Sequence, residues 1–289
     1  MPRPTKPGAE LCCCHQAQSP RLLRADLEPP PHELVDVHVH LGGSDSGELF
    51  YPRLPGQEWL ELAEPARVTT AFAFPPLLAH YRKANEELAA WAATTNGAVR
   101  PFARLGGTDI PWTTHQLWQL RRKLRNRWTQ REDDIGDDIS IYSGIKLLPH
   151  LDGLPSNEVF DRINAANIPI VIHGGIHVPP AWIEKAILPR TTGIVIVAHL
   201  GAFPAGDREL EDALDLARRH ERVYLDTSGV WLAAFLSHAA DRVGDKLVFG
   251  SDAPLTHPLV AWHHLRCAVP DDDLLERIGW RTATELFDL

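Results

Sequence analysis

From Glu33 onward the chain alternates short, unbroken apolar runs with longer stretches whose apolar residues recur at helical spacing. The runs are Leu34–His40, Arg67–Phe74, Val99–Leu105, Ser143–Leu148, Ile168–His173, Ile194–His199, Val223–Asp226 and Lys246–Gly250. Near-continuous Val, Ile and Leu are what strands covered on both faces require, because neither face meets water. Between the runs, helices are predicted over Gln57–Glu64 and His80–Thr95, the latter stopped by Asn96-Gly97, and from Thr113 or Thr114 through Trp118, Leu120 and Leu124. Further helices are predicted over Asn157–Ala166 behind a Ser156 cap, Pro179–Leu188, Asp207–His220, Val230–Val243 and Pro258–Cys267, and Asp271–Phe287 is expected as a terminal helix packed on the outside. Strands alternating with helices give a parallel sheet. Eight such units point to closure, so the expected fold is α/β: a single-domain (β/α)8 TIM barrel over residues 33–289 behind a flexible, disordered leader over residues 1–32.

In a closed parallel barrel the downstream strand tips converge on one mouth, where residues distant in sequence can meet. Several of these runs end in metal-ligand residue types. His38 and His40 close the first run, two residues apart and therefore on one face of a strand. His173 follows Ile170-Val171-Ile172 and precedes Gly174-Gly175, glycines that let the chain turn sharply beside a site. His199 follows Ile194–Val197, and Asp252 follows Leu247-Val248-Phe249. Imidazoles and a carboxylate so placed can hold a zinc-like ion at about 2.0–2.1 Å, and Asp252 can also take a proton from water bound there. Asp36, two residues before His38, is expected to support a ligating imidazole.

Lys146 lies within Gly144-Ile145-Lys146-Leu147. It can anchor a substrate carboxylate, or lose its proton and take up carbon dioxide as a carbamate that bridges two metals. Arg104 at the third tip is a candidate for a bidentate grip on a substrate carboxylate. His150, His177 and His257 are candidate substrate contacts in loops at the same mouth, while Thr227 and Ser228 are expected to hydrogen-bond within the seventh loop. Trp112, Trp118 and Trp231 read as packing residues.

Composition narrows the class. The length of 289 residues suits a barrel of about 250. A formal net charge of −9 argues against a nucleic-acid ligand, which rests on clustered cations. The basic cluster Arg121, Arg122, Lys123, Arg125 and Arg127 is followed at once by Glu132, Asp133, Asp134, Asp137 and Asp138, and both read as solvated surface. No apolar stretch reaches the roughly 20 residues of a membrane span. Cys12-Cys13-Cys14 suits no ordinary disulfide framework, which points to a reducing cytoplasm. With His15 these thiols could bind a soft metal, but three consecutive residues cannot easily face one ion, so they read as incidental.

Taken together, Asp36-Val37-His38-Val39-His40, Gly144-Ile145-Lys146-Leu147, Ile172-His173-Gly174, Ala198-His199-Leu200-Gly201 and Gly250-Ser251-Asp252 resemble the amidohydrolase superfamily. The closest branch is the amidohydrolase-related group, which includes lactone hydrolases and non-oxidative decarboxylases. The resemblance covers nearly all of Glu33–Leu289. It implies a distorted (β/α)8 barrel in which His38, His40, His173 and Asp252 hold one divalent ion. His199 would then polarise the substrate or transfer protons, and would ligate a second metal where two are held. Lys146 joins the metal set if carboxylated. A lysine there, where nuclease-like relatives tend to have glutamate, disfavours that subgroup.

The expected activity is a cytoplasmic, metal-dependent hydrolase acting on a lactone, amide or ester of a small molecule through metal-activated water. Zn2+ is the expected cofactor, one ion or two, with Mn2+ as the alternative. No nucleic-acid or membrane partner is expected, and a homodimer is open. The rival activity is non-oxidative decarboxylation of a small aromatic or vinylogous acid, with Arg104 or Lys146 holding the carboxylate and Asp252 protonating carbon. A non-catalytic ligand-binding barrel is the third reading. Against it, unneeded buried histidines and carboxylates only cost stability.

Overall fold

The computed structural model describes residues 27–43, 53–76, 81–107 and 135–289. The three cysteines, the helix expected near Trp118, Trp112 and the neighbouring basic cluster lie outside these residues. Eight strands form one all-parallel sheet in sequential order: β1 Leu34–His40, β2 Val68–Phe74, β3 Val99–Leu105, β4 Gly144–Leu147, β5 Ile170–Ile172, β6 Val195–Val197, β7 Val223–Asp226 and β8 Leu247–Val248. Between β8 and β1 closure is made by single contacts. Val37 N donates to Phe249 O at 2.9 Å, Asp252 N to His38 O at 2.9 Å and His40 N to Ala253 O at 2.7 Å.

Five strands are shorter than their apolar runs, and for two of them, β5 and β8, the reason is identifiable. Pro169 has no N–H to give the ladder, so β5 begins at Ile170. Phe249 N donates to Ile278 O of the C-terminal helical stretch instead of to β7, so β8 ends at Val248.

The helices are α1 Gly56–Ala63, α2 Arg82–Ala92, α3 Pro149–Asp152, α4 Asn157–Ala166, α5 Pro180–Ala186, α6 Asp207–Arg219, α7 Ala233–Val243, α8 Pro258–Ala268, α9 Asp272–Glu276 and α10 Thr282–Phe287. Ser156 caps α4 by accepting from Val159 N, as its sequence position suggests. Alternation along β4 to β8 separates two layers. Ile145, Leu147, Ile170, Ile172, Val195, Val197 and Leu225 face the helices. Val171, Ile196 and Val248 face inward with Val35, Val37, Phe72 and Phe102.

The terminal helical stretch departs from expectation. Residues 272–287 run through α9, a π-helical turn at Arg277–Arg281 and α10; Leu275 and Ile278 pack with the outer cluster, whereas Ala283, Leu286 and Phe287 pack on the inner layer. Phe287 meets the Phe72 ring edge-on at 4.5 Å, and Ala283 is fully buried. This plugs the end where the strands begin. The last residues of the expected leader dock at the same end: Arg67 donates to Pro31 O at 3.2 Å, and His32 stacks edge-on against Trp262 at 5.0 Å. With that end filled, the downstream tips form the open mouth.

Candidate active site

The β1, β4, β5, β6 and β8 tips bring His38, His40, Lys146, His173, His199 and Asp252 around one cavity of about 120 Å³, further lined by His150 and His177. The four residues expected to share an ion, His38, His40, His173 and Asp252, therefore stand at one rim of one barrel. Asp252 Oδ1 lies 3.2 Å from His40 Nε2 and 3.6 Å from His38 Nε2. His173 is set further back, its ring 4.9 Å from those of His199 and His150.

The sequence reading overlooked Asp226, which organises the site. Its Oδ2 lies 2.8 Å from His38 Nδ1, and its Oδ1 accepts from His199 N at 2.9 Å and Ser228 N at 3.0 Å. The side chain of Ser228 also bonds to Asp226 Oδ1, and its Oγ lies 2.9 Å from His38 Nδ1 and 3.0 Å from His199 Nδ1. The signal was present in the chain, because Asp226 ends the run Val223-Tyr224-Leu225 just as Asp252 follows Leu247–Phe249.

These bonds fix the tautomers. The carboxylate of Asp226 only accepts, so Ser228 Oγ–H donates to it, and His38 Nδ1 must carry a proton to donate to Oδ2. His199 Nδ1 lies 2.9 Å from the carbonyl of Ser228, which also only accepts, so its proton sits on Nδ1. In the neutral form of each ring the lone pair is then on Nε2, the form needed to ligate a metal or accept a proton.

Burial and mutual charge set the ionisation states. Burial pushes His40 down to about 3 against the upward pull of Asp252, and His199 down to about 4 in the same way. His173 is held well below its ordinary value, first by burial and then by the surrounding imidazoles. For Asp252, burial works upward, but the His40 contact and the nearby His38 and His199 outweigh it and keep the carboxyl below the usual range. Asp226 is lowered to about 2 by His38 and His199, again against burial. Lys146, its Nζ 3.2 Å from His38 Nε2 and 4.6 Å from the Phe74 ring centroid, is lowered to about 7 by burial despite Asp226 and Asp252. Neutral imidazoles beside ionised carboxylates are the donor set a divalent cation takes. The atoms of His38, His40 and Asp252 lie within 4.8 Å of one another, as do those of His38, His199 and Asp226, so the arrangement fits such an ion.

Asp36 sits beneath this layer, fully buried. Its Oδ1 accepts from His38 N at 3.1 Å and Ser251 N at 2.9 Å, tying the β1 tip to the Asp252 loop. Burial raises it to about 7. His199, at φ +60°, and Asp252, at φ +64°, both occupy the left-handed region, which non-glycine residues rarely adopt. Such strain gathers where a site dictates the backbone.

Two candidates stand apart from this cluster. Arg104 is fully buried, with Nε and Nη2 on Asp152 Oδ2 at 2.9 and 2.8 Å and its guanidinium 5.0 Å from the Tyr81 ring. Tyr81 donates to the other oxygen of Asp152 at 2.9 Å. His257 accepts from Leu259 N at 3.0 Å and caps α8. Thr227 Oγ1 accepts from Gly250 N at 3.2 Å, which joins the β7 and β8 loops.

Gly175 shows how tightly the mouth is built. At φ +141°, a methyl group there would lie 2.1 Å from Phe203 O, and Phe203 packs against His173 and His199. Gly175→Ala is expected to cost about 1–3 kcal/mol, the range of overpacking and backbone strain. A melting temperature unchanged within a degree would contradict the close approach.

Compared with known proteins, the chain matches the family model described as Amidohydrolase over residues 35–289. No curated protein matches it. Among solved structures it resembles a probable 2-pyrone-4,6-dicarboxylic acid hydrolase from Acinetobacter baumannii with citric acid bound, at TM-score 0.63 and 15% identity over 89% of this chain and 100% of that one. It also resembles the 2,6-dihydroxybenzoate decarboxylase from Rhizobium, at TM-score 0.57 and 14% identity over 89% and 99%. A third likeness is to a dihydroxybenzoic acid decarboxylase from Polaromonas with bound manganese and the inhibitor 2-nitroresorcinol, at TM-score 0.57 and 15% identity over 89% and 97%. At these identities the likeness is one of fold.

Proposed function

This chain belongs to the amidohydrolase family, and from that premise we propose that it is a metal-dependent hydrolase of a lactone, amide or ester bond in a small molecule. The observation that carries the reading is the cluster in which His38 and His199 turn Nδ1 to fixed acceptors beside an ionised Asp252. His38, His40 and Asp252 would hold the ion, with His173 completing the set. A divalent ion held there supplies Lewis acidity and lowers the pKa of water towards about 7. Zinc is the proposed occupant and manganese the alternative.

The rest of the chemistry falls to the chain. Asp252 accepts the proton of the attacking water and returns it to the leaving group. His199 Nε2 carries no proton in the fixed tautomer, so it serves as a proton acceptor or ligand, and it can donate to an oxyanion only after taking up a proton. Lys146, inside the cavity, can meet a substrate carboxylate, and this favours a second reading. In a non-oxidative decarboxylase, Lys146 would hold the acid group and Asp252 would protonate the ring carbon. Carbon dioxide release without consumption of water separates the two activities.

Removal of metal tests the shared premise. Chelation is expected to abolish turnover and lower the melting temperature, since an ion at a hundredfold excess over its Kd stabilises the folded state by about 2.7 kcal/mol. Added Zn2+ or Mn2+ should restore both. In His40→Ala the metal-induced rise in melting temperature should vanish. If that variant is stabilised by metal as much as the parent, His40 is not a ligand.

A further inference from the structure

Resting on the hydrolase reading, we propose that Ile176, Phe203, Trp231 and Leu255 form a rim subsite that receives an apolar arm of the substrate, aryl or alkyl, attached on the leaving-group side of the reacting carbonyl group. These residues lie in the loops after β5, β6, β7 and β8, so they make an arc over four adjacent strands. Among the described residues seven large hydrophobic side chains are exposed, and four of them are in this arc. Trp231, which its sequence context marked as a packing residue, is 63% exposed and Phe203 is 38% exposed. Exposed apolar surface gathered at the mouth of a polar cavity marks a place where something apolar binds.

The arc is held in shape before any ligand arrives. Trp231 Nε1 donates to Pro204 O at 2.9 Å, and Ile176 N donates to Phe203 O at 3.0 Å. The Phe203 ring leans on His173 at 5.4 Å and on His199 at 5.1 Å. Phe203 and His199 also wall a narrow cleft that runs to Trp231 and Phe235. His199 and Phe203 line both the polar cavity and this cleft, so a substrate bound in the cavity can extend an arm past Phe203. Away from the arc the cavity offers a substrate few cations. Arg104 is bonded to Asp152, and among the described residues Lys146 is the Lys or Arg side chain that lines the cavity.

The test uses the full-length protein loaded with zinc and three probes that share one ring: γ-butyrolactone bearing methyl, phenyl or carboxyl at the γ carbon. The phenyl compound is expected to exceed the methyl compound about tenfold or more in kcat/KM, the scale on which apolar pockets discriminate. Trp231→Ala should collapse that ratio towards one and Trp231→Phe should keep most of it. Ile141→Ala, exposed before β4 at the other end of the barrel, should leave it unchanged. An equal rate for phenyl and methyl, a preference for carboxyl, or a ratio untouched by Trp231→Ala overturns the subsite while hydrolysis stands.

If no lactone is turned over, the subsite is read by calorimetry with 3-phenylcyclopentanone and 3-methylcyclopentanone, which hydrolysis cannot consume. Binding of the phenyl ketone about tenfold tighter, lost in Trp231→Ala, keeps the subsite and removes lactone hydrolysis. Equal binding, or none, removes the subsite.

Discussion

Replacing Asp252 by asparagine is expected to lower kcat/KM by three orders of magnitude or more with little change in the melting temperature of the metal-free protein. Asparagine is nearly the same size and tolerates the left-handed backbone that Asp252 adopts at φ +64°, so neither packing nor strain should change much. What disappears is the negative charge. That charge faces His40 at 3.2 Å and His38 at 3.6 Å, and it is the acceptor for the proton of the attacking water. Loss of a positioned general base alone costs about 10²- to 10⁴-fold, and loss of a ligand adds to it. Elemental analysis separates the two roles. A variant that keeps its metal but not its activity has lost the base, whereas one that loses both has lost a ligand. Retention of more than a tenth of parental turnover would remove Asp252 from the chemistry.

Arg104→Met is expected to unfold the chain about 10 °C early. Removing one partner of a fully buried ion pair leaves the other charge unpaired, at a cost of about 3–5 kcal/mol. For a domain of about this size each kcal/mol moves the midpoint by about 2–4 °C. The carboxylate of Asp152 would lose its bonds from Arg104 and keep the one from Tyr81. The double variant Arg104→Met with Asp152→Asn removes the stranded charge and keeps an acceptor for Tyr81, so it should recover most of the loss. The alternative role, a grip on a substrate carboxylate, predicts the reverse pattern, in which KM rises many-fold while the melting temperature stays put. Thermal scans and Michaelis curves on both variants decide between them.

By itself the sequence determined the architecture and the strand tips at which the candidate residues gather. Strands covered on both faces must be apolar throughout, so their runs stand out from amphipathic helices, and eight alternations leave a closed parallel barrel as the natural solution. A histidine or carboxylate at the end of a buried run is hard to explain as packing, and this is why His38, His40, His173, His199 and Asp252 could be read from one chain. Only the tertiary structure decided what each polar group faces. Asp226 meets His38 across 188 positions and Arg104 meets Asp152 across 48, and no local pattern encodes either pairing. Arg104 was legible as a tip residue, but whether its guanidinium faces a ligand or a carboxylate depends on where α3 returns after β4. The same holds for the terminal helix, whose apolar face fits the outer wall and the open barrel end equally well until Phe287 is seen against Phe72. Periodicity records whether a side chain is buried, and closure of the chain on itself chooses its neighbours.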